Sequence, residues 1–95
     1  MPAYIIALVN ITNPEKYQEY AKRAGPAGAK YGGRFVVRGM PAKVYEKGMN
    51  ERVVIVEFDS VQKAMAAHDS PEYKEALKVL GDAVERDFRI VEGVA

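Results

Sequence analysis

The segment YIIALVNI, Tyr4–Ile11, is a run of β-preferring apolar residues interrupted only by Asn10 near its end. A second run of this kind, RVVIVEF, occupies Arg52–Phe58, and its one charged interior residue is Glu57. Strands with a single buried face alternate apolar and polar side chains, whereas these two runs are apolar on both sides. Both segments are therefore predicted to be central strands of a sheet whose two faces are covered.

Helical patterns follow each of these strands. Thr12–Glu15 contains two competing helix starts, a capping box and an asparagine cap followed by proline. Apolar residues then recur at helical spacing as far as Gly25-Pro26, which is expected to break or kink the helix because proline lacks an amide. Ala27–Lys30 can resume the helix beyond that point, so the first helix is predicted with an interruption.

The second helix begins after the second apolar strand, with either Asp59 or Ser60 as its cap. Its apolar face extends to His68. Ser70 and Pro71 then restart the helix, because serine is a favoured N-cap and proline suits the first helical turn. The restart predicts a bend between two helical segments.

Two further strands complete the pattern. Gly32-Gly33 ends the first helix and turns the chain into a strand over Arg34–Arg38, since glycine adopts positive φ without strain. Lys43–Glu46 is expected to continue this strand as an edge segment beyond Pro41. Phe88–Glu92 alternates in the manner of a final strand. The order of elements is strand, helix, strand, strand, helix, strand.

This order predicts one ferredoxin-like domain over residues 1–95, an α+β fold of βαββαβ type. Its four-stranded antiparallel sheet would carry two helices on one face, which leaves the other side of the doubly apolar strands uncovered. An exposed apolar sheet face of that size marks an interaction surface. We therefore expect a homodimer in which the two open sheet faces pack together.

Composition excludes several kinds of partner. Lys plus Arg number 14 and Asp plus Glu 13, without a run of like charge, so neither a nucleic-acid binder nor a membrane-surface binder is expected. The chain has no cysteine and one histidine, so no metal site is expected; haem bound through the lone histidine is an alternative without further support, and no cofactor is expected. No segment reaches membrane-spanning length and no signal peptide pattern begins the chain, so we expect a cytoplasmic protein.

Four segments taken in chain order, KYGGRFVVRG, RVVIVEFDS, HDSPEYKEAL and RIVEG, resemble a known family along nearly the whole chain. It is the bacterial domain-of-unknown-function family 1330. The resemblance implies the fold of the dimeric α+β-barrel superfamily and implies no established activity. Ala67-His68 ahead of Ser70 is also similar to the cofactor-free monooxygenases of that superfamily.

Charged and polar residues on the predicted strands are candidates for ligand binding. By two-residue alternation, Arg34 and Arg38 lie on the same side of their strand. Arg38 is expected either to pair with Glu57 or to anchor an anionic ligand beside the sheet, because a guanidinium binds carboxylates bidentately. Asn10 either orients a carbonyl-bearing ligand or satisfies the turn that follows its strand.

Residues around the helix restart are candidates for chemistry. His68 is the only histidine, and histidine is the usual general base near neutral pH. Ser70 and the free amides of its helix start could hold an anion, and Tyr73 could donate its hydroxyl to the same ligand. Each has a structural alternative: a packed histidine, an ordinary N-cap and a core tyrosine.

Together these residues predict a pocket for a small anionic or carbonyl-bearing organic molecule. The catalytic candidates are His68, Glu57 and Tyr73, and the ligand-binding candidates are Arg38, Asn10 and Ser70. If the protein is an enzyme, cofactor-free proton transfer or monooxygenase-like chemistry suits this set best. The alternative is a non-catalytic homodimeric module, structural or ligand-sensing, in which the polar groups satisfy one another.

Overall fold

The computed structural model describes residues 1–94 and has the predicted order of elements, with the second helix divided in two. The elements are β1 Ala3–Ile11, α1 Pro14–Lys30, β2 Arg34–Gly39, β3 Arg52–Phe58, α2 Val61–His68, α3 Pro71–Leu80 and β4 Val84–Glu92. The four strands form one antiparallel sheet in the order β2-β3-β1-β4. β1 and β3 are its central strands, so the predicted ferredoxin-like fold is confirmed.

Side-chain caps fix the helix starts. The Asn13 Oδ1 atom accepts a hydrogen bond from the Lys16 amide at 3.2 Å, so α1 uses the asparagine-proline start and not the capping box at Thr12. At the start of α2 the Ser60 hydroxyl accepts from the Lys63 amide at 3.1 Å. Serine, not Asp59, is therefore the cap. Each cap satisfies an amide that has no partner inside its own helix.

The predicted break of α1 at Gly25-Pro26 is wrong, because the helix runs through Pro26 to Lys30. Proline removes one backbone hydrogen bond from a helix interior. On either side of it, Tyr20 and Ala27 are buried in a core cluster that α1 shares with α3. This packing keeps the helix continuous despite the missing amide.

Two strand predictions also need correction. β4 begins at Val84 rather than at Phe88, because β1 offers it a pairing partner along its whole length. Lys43–Glu46 is not a strand and lies in the loop between β2 and β3. The last paired residue of β2 is Gly39, which pairs with Val53, and β3 begins at Arg52. The chain beyond Gly39 therefore has almost no residue of β3 left to pair with.

A β-bulge in β2 reverses part of its alternation. The register of β2 against β3 shifts between Phe35 and Val37, which leaves Val36 as an extra residue. One added residue moves every later side chain to the opposite face. Arg34 and Arg38 therefore point to opposite sides of the sheet, and the prediction that they share a side is wrong.

The sheet has two distinct faces. The helix face points towards the helices and includes Ala3, Ile5, Ala7, Val9, Val54, Val56 and Phe58. The open face points the other way and includes Tyr4, Ile6, Leu8, Val53, Ile55 and Val91. No helix within residues 1–94 lies on the open face. None of the helices in this part of the chain combines the length and apolarity needed to cross a membrane.

Candidate functional site

A cavity of about 110 Å³ lies between the helix face and α1. The segment AKRAGPAGAK supplies most of its roof, and the lining residues there are Ala21, Ala24, Gly25, Gly28 and Ala29. These side chains are too small to fill the space above the sheet. α1 packs mainly against α3 instead of the sheet, so the space remains open.

Two adjacent glycines, Gly32 and Gly33, form the turn at one end of this cavity. Gly32 has a φ of +87°, a conformation that side-chain-bearing residues seldom adopt. A Cβ atom on Gly33 would lie 2.6 Å from the Phe58 ring, so only glycine fits there. The pair therefore serves both the predicted turn and a close approach to the core.

The polar lining of the cavity centres on Arg86. Its Nη1 atom donates to the Tyr20 hydroxyl at 3.1 Å and its Nη2 atom donates to the Tyr73 hydroxyl at 3.0 Å. The two hydroxyl oxygens are 2.6 Å apart. The guanidinium carbon also lies 4.7 Å from the centroid of the Phe88 ring. Two phenols and an aromatic face thus hold this cation.

Burial determines the protonation of this cluster. It raises the pKa of Tyr20 well above the ordinary value of 10.0, with a further contribution from Tyr73, while Arg86 acts in the opposite direction. Burial alone would lower the pKa of Arg86, but the two phenols outweigh it and the pKa is raised. At neutral pH the cluster therefore contains a neutral phenol at Tyr20 and a charged guanidinium.

His68 lies beside this cluster and lines the cavity. Its ring centroid is 5.3 Å from that of Tyr73 and 5.2 Å from that of Phe88. Its Nδ1 atom is 3.1 Å from the Asp69 Oδ1 atom. Donation of an Nδ1 proton to Asp69 would leave the Nε2 atom as a proton acceptor.

Arg38 lines the cavity from the edge strand, with its guanidinium 4.6 Å from the centroid of the Phe35 ring. The expected pairing of Arg38 with Glu57 is wrong. The Glu57 Oε1 atom accepts instead from the Arg34 Nε atom at 2.8 Å, on the open face. The bulge at Val36 is the reason, because it separates the two arginines onto different faces.

Ser70 and Asn10 do not reach the cavity. Ser70 is 3% exposed, and its hydroxyl donates to the Ala67 carbonyl at 2.7 Å and accepts from the Tyr73 amide at 3.1 Å. Its interpretation as an ordinary N-cap is confirmed. Asn10 is exposed at the end of β1 and pairs with Glu85, which places it on the open face.

The cavity thus brings together Arg38, His68 and Tyr73 from the predicted set, and Glu57 lies on the other face from them. Sequence reasoning missed Arg86 and Tyr20. A longer final strand would have revealed Arg86, because it alternates in phase with Phe88. Among residues 1–94, no three His, Asp or Glu side chains lie close enough together to hold a metal ion.

The sequence profile of a domain of unknown function, DUF1330, matches residues 2–94. The protein belongs to the DUF1330 family. No curated protein matches the DUF1330 chain. Family membership agrees with the resemblance noted from its sequence segments.

Solved structures share the fold of this DUF1330 protein. The RPA0582 protein of unknown function from Rhodopseudomonas palustris has a TM-score of 0.79 at 22% identity, covering 99% of this chain and 83% of its own. SnoaB, a cofactor-independent oxygenase from Streptomyces nogalater, has a TM-score of 0.67 at 11% identity, covering 99% and 94%. A dimeric ferredoxin-like protein of unknown function from Thermobifida fusca has a TM-score of 0.63 at 18% identity, covering 95% and 89%. At these identities the likeness shows the fold alone.

Proposed function

We propose that the cavity binds a small organic molecule with an anionic or carbonyl group, and that His68 acts on it in cofactor-free proton transfer. One observation carries this proposal. A mostly apolar cavity contains the side chains of Arg38 and Arg86 without a carboxylate partner for either of them in the described chain. An apolar cavity with a few convergent polar groups is typical of a small-molecule site.

The two arginines favour an oxygen-rich ligand. The half-buried Arg86 guanidinium loses solvation and needs compensation from hydrogen bonds or from an opposite charge, which the two phenols provide only in part. Arg38 is exposed, and its guanidinium is free to bind an incoming group. A carboxylate, enolate or polarised carbonyl entering the cavity would accept the remaining guanidinium hydrogen bonds.

His68 supports a proton-transfer step. With the Nδ1 proton donated to Asp69, its Nε2 atom would remove a proton from a carbon or hydroxyl group of the ligand. The negative charge left on the ligand oxygen would then be stabilised by the Arg86 guanidinium. With molecular oxygen as co-reactant, the same deprotonated ligand would be the starting point for monooxygenase-like chemistry. SnoaB, a cofactor-independent oxygenase, has the same fold.

Binding is tested by thermal shift with a panel of small carboxylates, ketones and enols. We expect panel members to raise the melting temperature of the wild type and to have little effect on Arg38→Ala, whose fold and dimer should persist. Arg23→Ala, which removes an exposed arginine of α1, is the matched control. Loss of folding in Arg38→Ala would instead assign this arginine a structural role.

Proton transfer is tested by solvent deuterium incorporation into the ligands found in this screen, followed by NMR. We expect His68→Gln to lower the exchange rate by about 100-fold, the ordinary contribution of a general base, without preventing binding. An unchanged exchange rate would remove His68 from the mechanism. The binding site would remain.

We further propose that two chains associate through their open faces. Ile6, Leu8, Val53 and Ile55 form an apolar centre, while the Arg34–Glu57 pair lies towards the rim. An apolar centre within a polar rim is the usual anatomy of a protein interface. The ferredoxin-like protein from Thermobifida fusca, which is similar in fold, is described as dimeric, and this supports the proposal.

A non-catalytic homodimeric module is the second candidate. It is favoured by the hydrogen bonds of Glu57, which accepts from both Arg34 and Tyr4 and leaves this carboxylate no evident role in chemistry. If the module is purely structural, the polar groups serve folding and no member of the panel stabilises the protein. Binding that depends on Arg38 would exclude the structural form, and proton exchange that depends on His68 would exclude the ligand-sensing form.

A further inference from the structure

Three arginines project from the helix face towards one end of the sheet. Arg52 and Arg86 both pair with Val9, so they stand in one cross-strand row, about 10 Å apart between Cα atoms. Arg38 lies in the next row, where it pairs with Val54. None of the three forms an ion pair within residues 1–94. This end of the helix face is strongly cationic.

The arginines on the open face, in contrast, are paired with carboxylates. There Arg34 donates to Glu57 at 2.8 Å, and Arg89 donates to Asp87 at 2.8 Å through each of two nitrogen atoms. The chain therefore pairs arginine with carboxylate on one face of its sheet and omits the carboxylate on the other. The three sheet arginines without a carboxylate partner all lie on the face that carries the cavity, where Arg38 and Arg86 line it and Arg52 lies beside it.

Arg52 adds an independent observation. Its Nε atom is buried and has no hydrogen-bond partner, the one such side-chain atom found in the described chain. A donor atom that is shielded from water without an acceptor is unfavourable, even in an arginine that is only half-buried as a whole. The acceptor that would relieve it is not provided by residues 1–94, which points to an acceptor brought by a bound molecule.

One of the two phenolic protons next to Arg86 has no hydrogen-bond acceptor in the described chain. Arg86 donates to the oxygen atoms of both Tyr20 and Tyr73, and one phenolic proton lies between those two oxygens. A pair of phenols has two protons. The second proton has no acceptor in the described chain, so it is free to bind an anionic oxygen.

The opposite end of the cavity is apolar. Its floor there consists of Ile5, Val56 and Phe58, and the small residues Gly28 and Ala29 form its roof. The cavity is therefore cationic at the Val9 end and hydrophobic at the Phe58 end. A ligand that matches both ends has an anionic head and an apolar body.

We propose that the cavity binds a hydrophobic organic acid, with its carboxylate between Arg52 and Arg86 and its body over Ile5 and Val56. The inference rests on the proposed function and narrows it to one ligand class. A neutral carbonyl compound fits less well, because it brings no negative charge to the arginines at this end of the helix face.

The head group is tested by isothermal titration calorimetry with two pairs of probes, phenylacetate against phenylacetamide and hexanoate against hexanamide. Within each pair the body is the same and only the charge changes. We expect each acid to bind at least about tenfold more tightly than its amide, because hydrogen bonds to charged groups are the stronger ones. Equal affinities would overturn the inference and leave the proposed pocket standing, whereas no binding of any probe would overturn both.

The position of the head group is tested with Arg52→Met and Arg86→Met, which keep an aliphatic stem and remove the charge. Each variant should lower acid affinity about tenfold and leave amide affinity unchanged. Arg23→Met on the exposed side of α1 should change neither. Equal effects on acid and amide would overturn the inference.

Arg52→Met has a second readout that does not depend on any ligand. If its unpaired Nε atom is retained for binding, removing it should raise the melting temperature of the ligand-free protein. A lower melting temperature would show that Arg52 stabilises the fold and would overturn its assignment to the head-group site. This readout remains interpretable if Arg86→Met fails to fold.

Discussion

At the level of single residues, Val36 determines which arginine reaches the cavity. It is the extra residue of the bulge in β2, and it puts Arg38 on the helix face and Arg34 on the open face. Alternation read from the sequence assumes an unbroken register, so it cannot detect such a bulge. Arg38 stays a predicted ligand-binding residue, while its predicted partner Glu57 lies on the open face and pairs with Arg34.

The buried phenol of Tyr20 predicts how the stability of the protein depends on pH. Burial raises its pKa in the folded chain, so on raising the pH the unfolded chain, with a value near 10.0, loses this proton first. The contribution of Tyr20 to stability is therefore complete below about pH 10 and is lost progressively above it. Urea unfolding across this range should show a smaller alkaline loss of stability in Tyr20→Phe than in the wild type.

The control for this experiment is Tyr45→Phe, because Tyr45 is 73% exposed. Its stability should follow the wild-type pH dependence. An alkaline loss of stability that is identical in Tyr20→Phe and the wild type would mean that the phenol of Tyr20 is not protected by the fold.

At the level of elements, local sequence signals predicted some helices and strands correctly but failed for α1 and for the β2–β3 loop. The strongly apolar β3 and the capped starts of α2 and α3 were predicted within one residue, because their signals are local. The continuity of α1 through Pro26 depends on packing against α3. Lys43–Glu46 failed as a strand because strand formation needs a neighbour, and local sequence does not reveal one.

Gly28 in α1 provides a prediction at this scale. A Cβ atom there would have no heavy atom within 4 Å outside the adjacent backbone of its own helix, and the residue lines the cavity. Gly28→Ala should therefore stabilise the helix by roughly 0.5–1 kcal/mol in chemical denaturation. The added methyl group should also weaken binding of the screened ligands, because it occupies space inside the cavity.

A matched variant tests whether these two effects belong to the cavity. Gln18→Ala, at an exposed position of the same helix, raises helix propensity and should leave binding unchanged. If Gly28→Ala bound the ligands as tightly as the wild type, the roof of the cavity would have no part in recognition.

At the level of the whole molecule, we propose that one face of the sheet carries a ligand site and the other an association surface. The single chain exposes 6269 Å². A monomer of its mass is expected to expose about 5,400 Å². The excess is similar to the area that one partner contributes to an interface of standard size, about 800 Å². The sequence predicted this exposed surface, because the two central strands are apolar on both faces and the helices cover only one of them.

Sedimentation velocity of the wild type at low protein concentration tests this division most directly. We expect a single species of twice the 10.5 kDa chain mass, because two open faces that pack together remove their apolar centres from water. A well-folded species of 10.5 kDa at every concentration would contradict it, since a stable monomer would then leave the apolar side of its central strands in water.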